Sequence, residues 1–286
     1  MISNPVPLPV TPPRVTRILV PIDFTEASLA AFWRAVEVAK IYHASLTLVH
    51  VMKNPTSTGM ANMLPGALAE LIADLQRDLD KLRQSALNNG VDCTALLREG
   101  SVFEHVGEVS RQSGIDLLVL ATHGGRGIHG MFLGSIAERL IRSTSFPVLT
   151  VGIAKHQPSW EEKGARHVVF AGDFRPETLC GLSSALGIQR RTDAKLSVVC
   201  VVAPGTRPEE LRAIRARIEP LVPAGTEIHT PEGSIGPAVC KAACELGAGL
   251  VVLGVHRNSF ARELFGSGLT AILLNAPCPV LSVRQC

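Results

Sequence analysis

His123, Gly124, Gly125, Gly127, Gly130, Gly134 and Ser135 fall within one short stretch, and together they give this chain its clearest capacity for chemistry: the holding of phosphate. A polyphosphate reaches backbone N–H groups only where no side chain stands in front of them. Glycine supplies that clearance together with access to positive φ. A helix beginning after such a loop adds unpaired N–H groups and the positive end of its dipole. The spacing predicts that helix at Ser135-Ile136-Ala137-Glu138, read as a capping box in which Ser135 caps the first turn and Glu138 reaches back. On local spacing alone, a plain surface turn with Ser135 as an ordinary helix cap fits as well.

The elements that must position this loop can be read on either side of it. Leu117-Leu118-Val119-Leu120-Ala121 is too short for a helix and reads as a central parallel strand. Ile136, Ala137, Leu140 and Ile141 give one apolar helix face, and Val148-Leu149-Thr150-Val151 a closing strand after Pro147. Strand, glycine loop and helix start are phosphate-binding architecture. Two familiar versions do not fit. Gly125-Arg126-Gly127-Ile128-His129-Gly130 has the GxGxxG spacing but follows a late strand, and no acid stands about 20 positions on, as a dinucleotide fold requires. No GxxxxGK[ST] occurs, which leaves a P-loop unsupported.

Near the start of the chain, Arg17-Ile18-Leu19-Val20-Pro21-Ile22-Asp23-Phe24-Thr25 is a short apolar strand that runs into an acid, with a helical pattern from Ser28 to Ile41 behind it. Taken with His123-Gly124-x9-Gly134-Ser135 and Pro147-Val148-Leu149-Thr150-Val151, it closely resembles the universal stress protein family. In that family's ATP-binding members the loop reads Gly-x2-Gly-x9-Gly-Ser/Thr. This chain has Ala121 in place of the first glycine. The resemblance implies ATP, alone or with Mg2+, as the cofactor. It implies that Pro21, Ile22 and Asp23 meet the adenine and ribose, that backbone at Val51 touches adenine, and that Ala121, His123, Gly124, Gly125, Gly127, Gly130, Gly134 and Ser135 form the loop holding ribose and phosphates.

The resemblance extends along the chain because the sequence repeats. Ala44-Ser45-Leu46-Thr47-Leu48-Val49-His50-Val51 recurs as Ala194-Lys195-Leu196-Ser197-Val198-Val199-Cys200-Val201, Glu99-Gly100-Ser101 as Glu232-Gly233-Ser234, and Leu118-Val119-Leu120-Ala121-Thr122-His123 as Val251-Val252-Leu253-Gly254-Val255-His256. A length of 286 residues suits two domains. The expected organisation is a proline-rich disordered tail over 1–13, a first domain over 14–153, a linker over 154–164 and a second domain over 165–286. Alternating strands and helices argue for α/β architecture: two tandem doubly wound domains, each a five-stranded, mostly parallel sheet with helices on both faces, similar to the adenine nucleotide alpha hydrolase fold. Val148–Val151 and Val280–Val283 resemble the edge strands through which family members dimerise. Pairing them within one chain makes an internal pseudo-dimer, and association of two chains stays open.

The second copy is expected to be degenerate. Gly254 and Gly266-Ser267 are kept, but Arg257 stands at the second glycine and only eight residues separate it from Gly266. An arginine can pair with phosphate, so the change does not exclude anions, but it fills the space through which backbone would approach one.

Composition narrows the partners. A net charge of +3 without clustered lysine and arginine argues against nucleic acid, and no apolar run reaches the roughly 18 residues of a membrane helix. Seven cysteines, an odd number in a chain that opens without a basic secretion signal, point to reduced thiols and a soluble cytoplasmic setting. Cys240 and Cys244 share a helix face and could serve a metal with His229 or His256, yet read better as small hydrophobes. The stretch from Met52 to Gly66 is a candidate lid or partner contact. The expected function is ATP-dependent regulation in stress response, with an unknown protein partner and at most slow hydrolysis. A nucleotide-independent interaction scaffold is the alternative, and a phosphotransferase ranks third because no catalytic lysine or metal motif is present.

Overall fold

The structure is a computed structural model, which describes residues 14–52, 65–122, 133–152, 160, 166–255 and 268–284. The loop residues His123, Gly124, Gly125, Gly127 and Gly130, their counterparts in the second copy, and most of the stretch from Met52 to Gly66 lie outside the described residues.

The first half runs β1 (Arg17–Pro21), α1 (Glu26–Tyr42), β2 (Ser45–Met52), α2 (Pro65–Asn88), β3 (Cys93–Glu99), α3 (Val102–Gln112), β4 (Leu117–Ala121), α4 (Ser135–Ser143) and β5 (Val148–Val151). The second half repeats the plan. It runs β6 (His167–Ala171), α5 (Leu179–Thr192), β7 (Lys195–Val199), α6 (Pro208–Ile218), β8 (Glu227–His229), α7 (Ile235–Glu245), β9 (Leu250–Val255), α8 (Leu269–Asn275) and β10 (Val280–Arg284). Each half contributes five strands that pair parallel among themselves, as expected. The two sets join into one ten-stranded sheet of order β3-β2-β1-β4-β5-β10-β9-β6-β7-β8. Its central seam is antiparallel, with Val280 opposite Thr150, Leu281 opposite Leu149 and Ser282 opposite Val148. Thr150 Oγ1 donates to the Val280 carbonyl at 3.1 Å, so the hydroxyl buried at the seam is satisfied.

Strand side chains alternate between two cores. Ile18 and Val20 of β1, with Leu117 and Val119 of β4, face the layer of α1, α2, α5 and α6; Leu19, Leu118 and Leu120 face the layer of α3, α4, α7 and α8. Burial on both faces is why these strands read as unbroken apolar runs and not as polar alternation.

The repeat extends to backbone conformation. Phe24 and Phe174 hold φ +60° and +56°, and His43 and Asp193 end α1 and α5 at +54° and +53°. Gly100 and Gly233 sit at +126° and +122°, a region closed to side chains. That requirement accounts for the recurrence of Glu-Gly-Ser. Ser101 then caps α3 through the Glu104 amide, whereas Ser234 makes no side-chain cap on α7.

Among the described cysteines, Cys180 is disulfide-bonded, which departs from the all-thiol expectation, and Cys93, Cys200, Cys240, Cys244 and Cys278 are free. Burial pushes the Cys93 and Cys278 thiols up to about 12.

Candidate functional site

In the first half the strand order reverses between β1 and β4. From β1 the chain crosses through α1 to β2 on one side, and from β4 through α4 to β5 on the other. A crevice therefore opens at the carboxyl ends of these two strands, the usual ligand position in an open parallel sheet. Pro21, Ile22 and Asp23 leave β1 there, Val51 stands near the end of neighbouring β2, and Ala121 ends β4.

Asp23 is exposed at this crevice and anchored by its own turn. Its Oδ1 accepts from the Thr25 amide at 3.0 Å and from Thr25 Oγ1 at 2.5 Å. Thr25, and not Asp23, is the residue that caps α1, accepting from the Ser28 amide. Ile22 is 3% exposed and its amide donates to the Val49 carbonyl at 2.9 Å, so it supports the crevice from beneath. The β1–β2 ladder ends at Pro21 opposite Val49. Since alternate residues of a strand aim their backbone groups to the same side, the N–H and C=O of Val51 face the side where β1 has already stopped.

Two residues escaped the reading of the sequence. His50 Nδ1 lies 2.7 Å from the Ile22 carbonyl, and its ring packs on Phe24 with centroids 4.9 Å apart. Phe24 holds the left-handed conformation that turns the chain from β1 into α1, and such strain in a bulky residue concentrates at functional sites. The Asp-Phe recurrence at Asp173-Phe174 was the available signal.

The base of the glycine loop is fixed. The Gly134 amide donates to the Thr122 carbonyl at 3.1 Å, and the Thr122 amide to the Val151 carbonyl at 3.0 Å, which closes the loop at its two ends beside β5. Thr122 is 1% exposed; Ser135 is exposed. The capping box needs correction. Gly134 occupies the cap position, no side chain among the described residues caps α4, and Glu138 pairs with Arg142 at 3.1 Å. Ser135 is instead the first helical residue, so neither its hydroxyl nor a returning carboxylate occupies the helix start. An uncapped helix start leaves its first amides available to an anion.

The equivalent crevice of the second half holds a cavity of about 190 Å³. Its walls include Ala171, Asp173, Val201 and Gly254, the positions that match Pro21, Asp23, Val51 and Ala121. Here the acid is more fully engaged. Asp173 accepts from Thr178 Oγ1 at 2.8 Å and from the Arg175 amide at 3.2 Å, and pairs with Arg175 Nε at 3.1 Å. Cys200 replaces His50, and burial pushes its thiol up. Among the described residues no group of three His, Cys, Asp or Glu side chains could hold a metal, and no helix is long and apolar enough to cross a membrane.

Comparison with known proteins adds three findings. The Universal stress protein family matches the chain twice, over residues 14–152 and 164–284. A universal stress protein of Methanocaldococcus jannaschii is 31% identical over 141 residues, covering 47% of this chain and 81% of that protein; YxiE of Bacillus subtilis is 24% identical, covering 47% and 97%. A universal stress protein structure from Archaeoglobus fulgidus superposes with a TM-score of 0.73 at 18% identity, covering 94% of this chain and 96% of the other. That likeness is one of fold.

Proposed function

Because the chain belongs to the universal stress protein family, we propose that its first half binds ATP at the carboxyl ends of β1 and β4 and that the bound nucleotide regulates which protein partner the chain recognises. The observation that carries this reading is the uncapped start of α4, held by the Gly134–Thr122 hydrogen bond at the strand switch point beside exposed Asp23. Asp23 is fixed by Thr25 in a position to accept from a ribose hydroxyl. The N–H and C=O of Val51 supply the pair of backbone groups an adenine edge needs. The first amides of α4 favour a phosphate. Magnesium, when present, neutralises phosphate charge, and Asp23 is the carboxylate on this crevice nearest to such a role.

Binding and release, and not turnover, suit these groups. Thr25 takes up Asp23 Oδ1, and the remaining Oδ2 is the oxygen assigned here to the ribose. Thermal unfolding with and without ATP and magnesium tests the reading. At 100 times its dissociation constant, ATP should stabilise the chain by about 2.7 kcal/mol. No shift at millimolar ATP overturns the proposal, and a shift that survives Gly124→Arg misplaces the site.

A further inference from the structure

We propose that the cavity of the second half is a binding site for a small, neutral, apolar molecule, a different ligand class from the nucleotide assigned to the first half. Its walls are made chiefly of Val199, Val201, Val239, Leu253, Leu269 and Ile272, which come from β7 and the residues just past it, from β9, and from α7 and α8. A dry cavity of about 150 Å³ lined by aliphatic side chains takes up benzene. At about 190 Å³, this one has room for a molecule of bicyclic size.

The chemistry of the walls sets the charge of the occupant. The Asp173 carboxylate and Thr178 hydroxyl hydrogen-bond to each other, and Arg175 takes up further acceptor sites on the same carboxylate. A charged ligand would give up its hydration and find its counter-charges already paired, whereas a neutral apolar one gives up little. Two differences from the first half also make the site more apolar. Val255 stands for buried Thr122, and Leu269 stands for Ala137. Ile235, 52% exposed, stands at the mouth of the cavity as an uncovered aliphatic rim.

The test uses the full chain and a fluoroindole as the probe, followed by fluorine NMR. Saturable broadening of the probe signal is expected. Ile235→Glu places a charge at the mouth without crowding the core and should weaken binding at least about tenfold. Val239→Trp should abolish binding by filling the space, and Gly124→Arg, in the other half, should leave it unchanged. Absence of saturable binding, or binding unmoved by both cavity variants, overturns the proposal. So does displacement of the probe by ATP in the Gly124→Arg chain, which would make the cavity a nucleotide site. ATP-dependent stabilisation is read in the same samples, so the first-half assignment and the second-half cavity stand or fall separately.

Discussion

A Cβ added to Gly254 would stand within 2.7 Å of the Thr178 carbonyl carbon and closer still to its oxygen. The end of β9 and the turn into α5 thus meet backbone to backbone, and Gly181 presses on Gly254 from the helix in the same way. In the first half the matching positions are Ala31 and Ala121, so a methyl group is accommodated at the end of β4. Gly254→Ala forces backbone apart and is expected to cost about 1–3 kcal/mol, as overpacking does. Thermal unfolding measures it, and an unchanged melting temperature would show that the close approach relaxes freely.

The converse substitution addresses the departure at Ala121. Removing that methyl clears the end of β4 where the loop begins, so Ala121→Gly should raise the ATP-induced stabilisation. The added backbone freedom should cost the unliganded chain about 0.5–1 kcal/mol. A variant that loses stability and gains no response to ATP would place the nucleotide away from β4.

Asp23 separates a structural task from a binding one. Its Oδ1 holds Thr25, which caps α1, so Asp23→Ala should cost about 1 kcal/mol of stability through the weakened turn. Asp23→Asn keeps an oxygen for the Thr25 amide and should melt within about 0.5 kcal/mol of the parent. If Asp23 meets the ribose and the magnesium-bound phosphates, Asn should still lower the ATP-induced shift. Equal shifts for Asn and Asp would remove the carboxylate from the site.

Much of this was legible in the residues. Strands buried on both faces are written as unbroken apolar runs, and the repeated Glu-Gly-Ser recorded a positive φ that only glycine holds comfortably. The Ser135–Glu138 spacing misled because a capping box is a local pattern, whereas the helix start is set by the loop base: Gly134 is drawn to the Thr122 carbonyl, and Glu138 finds Arg142 one turn on. His50 stayed hidden because nothing in a strand sequence announces that its imidazole will reach the carbonyl of Ile22, just past the end of neighbouring β1. The second-half cavity stayed hidden too, since substitutions that remove a phosphate site look like loss until the walls they build are seen together.

His167 gives the pH dependence. Its Nδ1 lies 2.7 Å from the Leu246 carbonyl and its Nε2 lies 2.8 Å from Ser197 Oγ, a pairing that suits the neutral ring with its proton on Nδ1. Burial holds its pKa below the ordinary histidine value of 6.5, with Lys195 acting in the same direction. The unfolded chain then binds more protons than the folded one below pH 6.5, so stability falls as pH drops through that value toward the folded pKa, and is fully present above it. His167→Gln should flatten the loss between pH 7.5 and pH 5.5 while lowering stability at the upper pH. An unchanged slope would assign the acid sensitivity to another group.

Trp160 tests whether the two halves act as one body. Its amide donates to Glu37 Oε1 on α1 and its indole Nε1 donates to the Gly249 carbonyl just before β9, each at 3.3 Å. The Arg34 guanidinium, buried beside Glu37, lies 5.1 Å from the indole centroid. Arg191 of α5 also reaches the Ile41 carbonyl of α1, and Arg284 of β10 reaches the Thr144 carbonyl beyond α4, so Trp160 is one of several ties across the antiparallel seam. Trp160→Ala keeps the amide bond to Glu37 but removes the indole hydrogen bond to Gly249 and the indole body, and should cost about 2–4 kcal/mol. Trp160→Phe keeps much of the packing and should recover about half of that loss. If the seam unites the halves, both variants still melt in a single transition; a Trp160→Ala chain that splits into two would show that the indole, more than the β5–β10 pairing, makes the halves fold together.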